Sequence, residues 1–136
     1  MNNTNIAVMD VIVNYLSKGH SISDALKMVY TKRHIAIPFK PEHLYLQVVD
    51  LKMSTRTTLA LRRNGLHTVE AVIKAGNSDE LNNIRNLGRK SAIELYETLL
   101  NYLWERLTMT EKTDFLIDVV IRNSENLRDD WDAVIA

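Results

Sequence analysis

A chain of 136 residues, 46% hydrophobic and 25% charged, has the make-up of a soluble globular protein with one ordinary core. It contains no cysteine, which excludes disulfides, thiolate catalysis and Cys-based zinc sites. The formal net charge is zero, but residues 51–90 carry eight basic against three acidic groups, whereas residues 91–136 carry four against ten. A basic block confined to one stretch suits a nucleic-acid surface; the competing possibility is that the acidic third packs beside it and neutralises it. Apolar runs are too short for a membrane span and the start lacks the basic segment of a signal peptide. A cytoplasmic protein with no membrane partner is expected.

Residues 5–17 read as a helix apolar on most sides, through Ile6, Val8, Met9, Val11, Ile12, Val13, Tyr15 and Leu16. So little polar face requires cover on more than one side, within the fold or by a second subunit. Gly19 ends this helix, and Ser21 is placed to cap the next, with Asp24 at the third helical position and Ala25, Leu26, Val29 and Tyr30 at helical spacing. The two form a helical hairpin over 1–37. Pro38 and Pro41, the only prolines, disfavour helix in the residues before them and mark a connector over 38–43, anchored by Phe39. Residues 44–53 are rich in β-branched and aromatic side chains, yet no partner strand is evident, so they are predicted to pack as extended or irregular structure.

Ser54 caps a helix through Asn64 that Gly65 closes, with Arg56, Arg62 and Arg63 on it. Thr68 caps a short helix, Val69–Ala75, which Gly76 ends; Asn77 and Glu80 then have capping-box spacing ahead of Leu81. In Leu81–Leu95 the apolar residues fall into two sets, Leu81, Ile84 and Leu87, then Ala92, Ile93 and Leu95, and helical periodicity breaks between them. Asn86 and Gly88 are the residue types that most readily take φ > 0, so a tight turn between two short helices is predicted, with Leu87 pointing inward. The backbone N–H groups of Gly88 to Ser91 start the second helix without intrahelical partners, at its positive dipole end. Arg89 and Lys90 add full charges beside them, and such a surface suits a phosphate.

A long helix follows to about Leu107, then a capping box at Thr108 and Glu111 leads into a helix over Phe115–Leu127. Residues 128–136 are acidic with three apolar anchors, either a short docked helix or a frayed tail. The fold class is all-α: a compact domain of helix–hairpin–helix units over 44–107, flanked by extra helices. Residues 108–136 are expected to pack with 1–37, and the terminal helices offer a route to a homodimer. No catalytic constellation is present. His20, His34, His43 and His67 lack metal-ligand spacing and read as surface or half-buried, and Ser91 beside Lys90 is no nucleophile pair, because adjacent helix residues do not face each other. No cofactor, no metal and no enzyme activity are expected.

Three blocks recur in order: Val48-Val-Asp-Leu-Lys-Met-Ser-Thr-Arg56, Leu61-Arg-Arg-Asn-Gly-Leu-His-Thr-Val69 and Arg85-Asn-Leu-Gly-Arg-Lys-Ser91. With them, residues from about 44 to 107 resemble the C-terminal domain of the bacterial RNA polymerase α subunit. The resemblance implies a helical domain that binds the minor groove of A/T-rich double-stranded DNA and touches activators and σ factor. It puts Arg56 where the family has its principal minor-groove arginine. Asn86, Gly88, Lys90 and Ser91 match the hairpin that contacts phosphates, with Arg89 a basic position beside them, and Glu94 matches an acidic residue that helps orient the arginine. Leu59 stands where the family has an asparagine important for DNA contact, and a leucine neither donates nor accepts. Two functions follow: a DNA-binding, transcription-associated protein, or a protein–protein adaptor that keeps the fold, has lost DNA recognition and binds RNA polymerase, σ factor or a regulator.

Overall fold

The computed structural model describes residues 1–32, 34–76, 81 and 84–131. Among these are six α-helices, α1 (Asn3–Ser17), α2 (Ile22–Val29), α3 (Thr55–Arg63), α4 (Val69–Gly76), α5 (Arg89–Glu105) and α6 (Met109–Arg122), so the fold is all-α as expected. Capping side chains set where most of them begin. Asn2 Oδ1 accepts from the Asn5 N–H at 2.7 Å, which starts α1 two residues earlier than periodicity alone suggests. Ser21 Oγ accepts from the Asp24 N–H at 3.2 Å, and Thr68 Oγ1 from the Ala71 N–H at 3.2 Å. Thr108 Oγ1 accepts from the Glu111 N–H while Glu111 Oε1 accepts from the Thr108 N–H, so the predicted capping box is closed in both directions.

Three expectations are corrected. The helix after that box starts directly at Met109 and ends at Arg122, short of Leu127. Asn123 stops it: its side chain is buried, donating to the Val119 carbonyl at 2.8 Å and accepting from the Ala36 N–H at 3.3 Å. The segment that follows then closes the end of α2, with the Thr31 N–H donating to the Asn126 carbonyl and the Arg128 N–H to the Val29 carbonyl. The stretch over 44–53 is instead built around two 3₁₀ turns that span 41–51, Pro41–Tyr45 and Val48–Leu51, and the backbone partner that the sequence concealed is the loop before α4. There the Val48 N–H donates to the His67 carbonyl at 2.8 Å and the Val69 N–H to the Leu46 carbonyl at 3.0 Å. His34 is buried, its ring lying parallel to Tyr96 at 5.0 Å, because the segment after α2 turns in against α5. The Asn77–Glu80 capping box and the last five residues of the acidic tail lie outside the described residues.

α5 is the axis of the core. Leu95, Leu99, Leu100 and Leu103 are each 2% exposed or less, and the helix packs against α2 on one side and α3 on the other. α1 lies on α2 and α6, burying Val8 and Ile12. One continuous apolar cluster therefore joins the terminal helices to the middle of the sequence. Full burial of each such Leu or Ile is worth about 1.5–3 kcal/mol. Among the described residues no helix is long and apolar enough to cross a membrane.

The cap of α6 makes stability pH-dependent. Glu111 is held down to about 2 by the Thr108 N–H, the Lys40 ammonium 2.9 Å away and the Thr108 hydroxyl. A depressed carboxylate stabilises the fold above its ordinary value of 4.5 and loses that contribution as pH falls toward 2. In chemical unfolding of Glu111→Gln beside the parent, the stability difference is expected to be constant at neutral pH and to shrink steadily below about pH 4.5.

Candidate nucleic-acid interface

Two helix N-termini, those of α3 and α5, are fastened side by side. Ser54 is the N-cap of α3, and Arg56 and Thr57 follow in its first turn. Ser54 donates its hydroxyl to Glu94 Oε1 at 2.8 Å, and its N–H donates to the same oxygen at 2.9 Å. Three residues along α3, the buried Thr57 hydroxyl donates to Ser91 Oγ at 3.0 Å. Ser91 and Glu94 share one face of α5 at i,i+3 spacing, so the two contacts form a single seam. Burial opposes ionisation of Glu94, but the Ser54 and Thr57 hydrogen bonds outweigh it and hold the carboxyl below its ordinary range.

Site residues predicted from the sequence divide at this seam. Arg56, Asn86, Gly88, Arg89 and Lys90 are exposed. Ser91 is only 5% exposed and spends its side chain on Thr57, so it offers an outside ligand no hydroxyl. Glu94 accepts both hydrogen bonds from Ser54, two residues before Arg56. Leu59 is 40% exposed and, three residues after Arg56, lies on nearly the same side of α3. Thr57 escaped the sequence reading, although Ser54–Thr57 and Ser91–Glu94 have matching three-residue spacings. Arg85, also exposed, adds a further charge at the hairpin.

The turn itself differs from expectation. Asn86 takes φ 64°, as its type allows, but Gly88 has φ −63° and ψ 158°, the extended geometry of an N-cap. Leu81 has φ 58° and Ile84 is non-helical, so among the described residues α4 is the helix that precedes the hairpin. Leu87 is half-buried against the core. A Cβ on Gly88 would meet nothing within 4 Å, so neither space nor backbone angle demands glycine there. What glycine does is leave α5 without the capping oxygen that Ser54 and Thr108 supply to α3 and α6. The first-turn amides of α5 therefore have no capping side chain, and Arg89 and Lys90 flank them.

Four carboxylates of the acidic third pair with cations outside this face: Glu97 with Lys27, Glu111 with Lys40, Asp118 with Arg122 and Asp130 with Arg128. Among the described residues, Arg56, Arg85, Arg89 and Lys90 make no ion pair. No group of metal-ligating side chains is found among them either.

Gly88→Ser separates fold from binding. A serine in this backbone geometry caps α5, so thermal unfolding is expected to show unchanged stability or a gain of a few tenths of a kcal/mol, roughly the difference between Gly and Ser caps. Affinity for a phosphate-bearing duplex, measured by fluorescence anisotropy, is expected to fall because the new hydroxyl occupies the amides.

Among curated proteins, the DNA-directed RNA polymerase subunit alpha of Mycoplasma genitalium is 27% identical over 85 residues, covering 62% of this protein and 26% of the relative. That of Mycoplasmoides gallisepticum is 28% identical over 89 residues, covering 65% of this protein and 27% of the relative. The match thus spans about a quarter of the length of either relative. No solved structure gives a significant match. Residues 38–101, from the proline connector through most of α5, match the family of the C-terminal domain of the bacterial RNA polymerase alpha subunit, a transcription-associated, non-catalytic family.

Proposed function

We propose that this protein binds double-stranded DNA in transcription, with the adjoining N-termini of α3 and α5 as its contact face. The observation that carries the reading is the set of exposed cations without ion-pair partners, Arg56, Arg89 and Lys90, around a helix start whose cap is glycine. Backbone amides and Lys90 meet a phosphate, while Arg56, projecting from the neighbouring helix, enters an A/T-rich minor groove, where narrowing deepens the negative potential. Asn86 turns the backbone so that these groups share one surface, and Ser91 and Glu94 act from behind it by fixing α3. The reading divides the molecule into a DNA-facing unit over 44–107 and a supporting layer from 1–37 and 108–136, joined by the 38–43 connector. It also takes in RNA polymerase, σ factor or a regulator as protein partners, and a cytoplasmic setting.

A second reading rests on Leu59. An exposed leucine beside Arg56 gives this face an apolar centre, which suits a protein partner and an adaptor role. The two readings part in a salt-dependent titration with A/T-rich and G/C-rich duplexes. DNA binding predicts measurable affinity at low salt; absence of binding to both duplexes overturns it in favour of the adaptor. Where binding occurs, Lys90→Ala should weaken both duplexes alike and lower the salt slope by roughly one unit. Arg56→Ala should cost more on the A/T-rich duplex, and an equal loss on both would remove it from groove recognition.

Leu59→Asn tests the apolar centre directly. If DNA lies on this face, the restored amide should shift preference toward the A/T-rich duplex by about 1 kcal/mol, the low end for one polar base contact. If a protein lies there, DNA affinity stays negligible and capture of purified RNA polymerase weakens.

A further inference from the structure

Outside residues 38–101, the stretch that matches the family, a groove of about 550 Å3 opens between the terminal helices. Val13 and Leu16 line it from α1, Trp104 from the end of α5, and Met109 and Leu116 from α6. Val13 is 49% and Met109 80% exposed, so this apolar lining reaches solvent. From Met109 to Leu116 the lining runs seven residues along α6, about 10 Å, the length of two helical turns. A trough of that length with helical walls receives one face of a third helix, through side chains spaced i, i+3, i+4 and i+7.

The ionisable groups that line the groove are both bases, Lys112 and His20. Each is held against an aromatic ring. The Lys112 ammonium lies 5.2 Å from the centre of the Trp104 ring, and the His20 ring meets Tyr15 edge-on at 5.5 Å. Tyr15 also carries the Lys18 ammonium, at 5.9 Å, so a second cation shares the ring that holds His20. Neither lysine makes an ion pair among the described residues. Lys112 thereby differs from Arg122 and Arg128 in the same acidic third, which pair with Asp118 and Asp130. Carboxylates near it in sequence are placed or engaged elsewhere: Asp10 stands three residues before Val13, outside the lining, and Glu111 is taken by Lys40.

An apolar floor with cations fixed at its edge complements a helix whose buried face is apolar and whose flanks are acidic. We propose that this groove docks an acidic amphipathic helix of a partner protein, whose apolar side chains enter beside Val13, Trp104 and Met109 and whose carboxylates meet Lys112 and His20. Trp104 offers the occupant a large rigid surface, and the Met109 side chain adapts to what enters. The basic face lies on α3 and the start of α5, so this docking does not depend on DNA binding.

Fluorescence anisotropy with a designed peptide tests it. The probe is a helix of about 18 residues with leucines spaced i, i+3, i+4 and i+7, glutamates flanking them and alanines elsewhere; its twin has lysines for glutamates. The glutamate peptide is expected to bind with a dissociation constant of about 10–100 μM and the lysine twin at least about tenfold more weakly. Lys112→Glu, and Met109→Glu, whose charge suits the first turn of α6, should each weaken the glutamate peptide at least about fivefold with an unaltered melting temperature. In NMR spectra the indole N–H of Trp104 should shift on binding and that of Trp131 should stay. The proposal is overturned if the glutamate peptide fails to bind at about 1 mM, if the twins bind equally, if binding survives Lys112→Glu, or if Trp104 does not respond. A parent that sediments as a dimer dispersed by Met109→Glu also overturns it, because the occupant is then a second copy.

Discussion

The hydrogen bond from Thr57 to Ser91 joins the starts of α3 and α5, the two halves of the proposed contact face. It is buried, so losing one partner strands the other's hydroxyl at a cost of about 1–3 kcal/mol, more than the net gain of about 1 kcal/mol from making the bond. That asymmetry fixes the rotation of α3 against α5 more firmly than apolar packing alone, which tolerates small slides. Beside it, Ser54 and Glu94 fix the height of α3 along α5. The exposed cations therefore project from a rigid pair of helix starts. Charges on long side chains give orientation only when their bases cannot move, and here two short polar contacts beneath the surface hold them.

Much of the fold was legible because its signals are local. Ser21, Ser54 and Thr108 each cap the helix expected of them, since an N-cap needs only a small polar side chain and the amide three residues on. The extent of α6 was not legible. Leu127 continues a helical pattern, yet Asn123 is taken up by Ala36, a residue 87 positions away in sequence. The turns over 41–51 were hidden for the same reason, their backbone partner being a loop some twenty residues on. At the site, residue type found the exposed cations, but which of two neighbouring polar residues faces outward depended on where α3 lay. Lys90 and Ser91 differ in burial because only Ser91 points at Thr57.

The charge pattern holds a further lesson. A strongly acidic third beside a basic middle suggests mutual neutralisation, but short-range pairing won. Glu97 found a cation on α2, Glu111 one on the proline connector and Asp118 one on the next turn of its own helix. Exposed pairs of this kind contribute little stability, on the order of 0–1 kcal/mol. Their consequence is spatial: they leave the positive potential of the basic face largely intact.

The contact of the segment after α6 with the end of α2 bears on how the protein is made. The Thr31 and Arg128 amides bind carbonyls nearly a hundred residues away, and α1 rests on α6. During synthesis, the apolar face of α1 leaves the ribosome long before α6 exists to cover it. At roughly 5–20 residues per second the wait is several seconds to about twenty, far longer than helix formation or collapse. Until α6 and the segment after it have been made, α1 and α2 offer an uncovered apolar surface to chaperones and to other nascent copies, and the arrival of that segment ends this exposure.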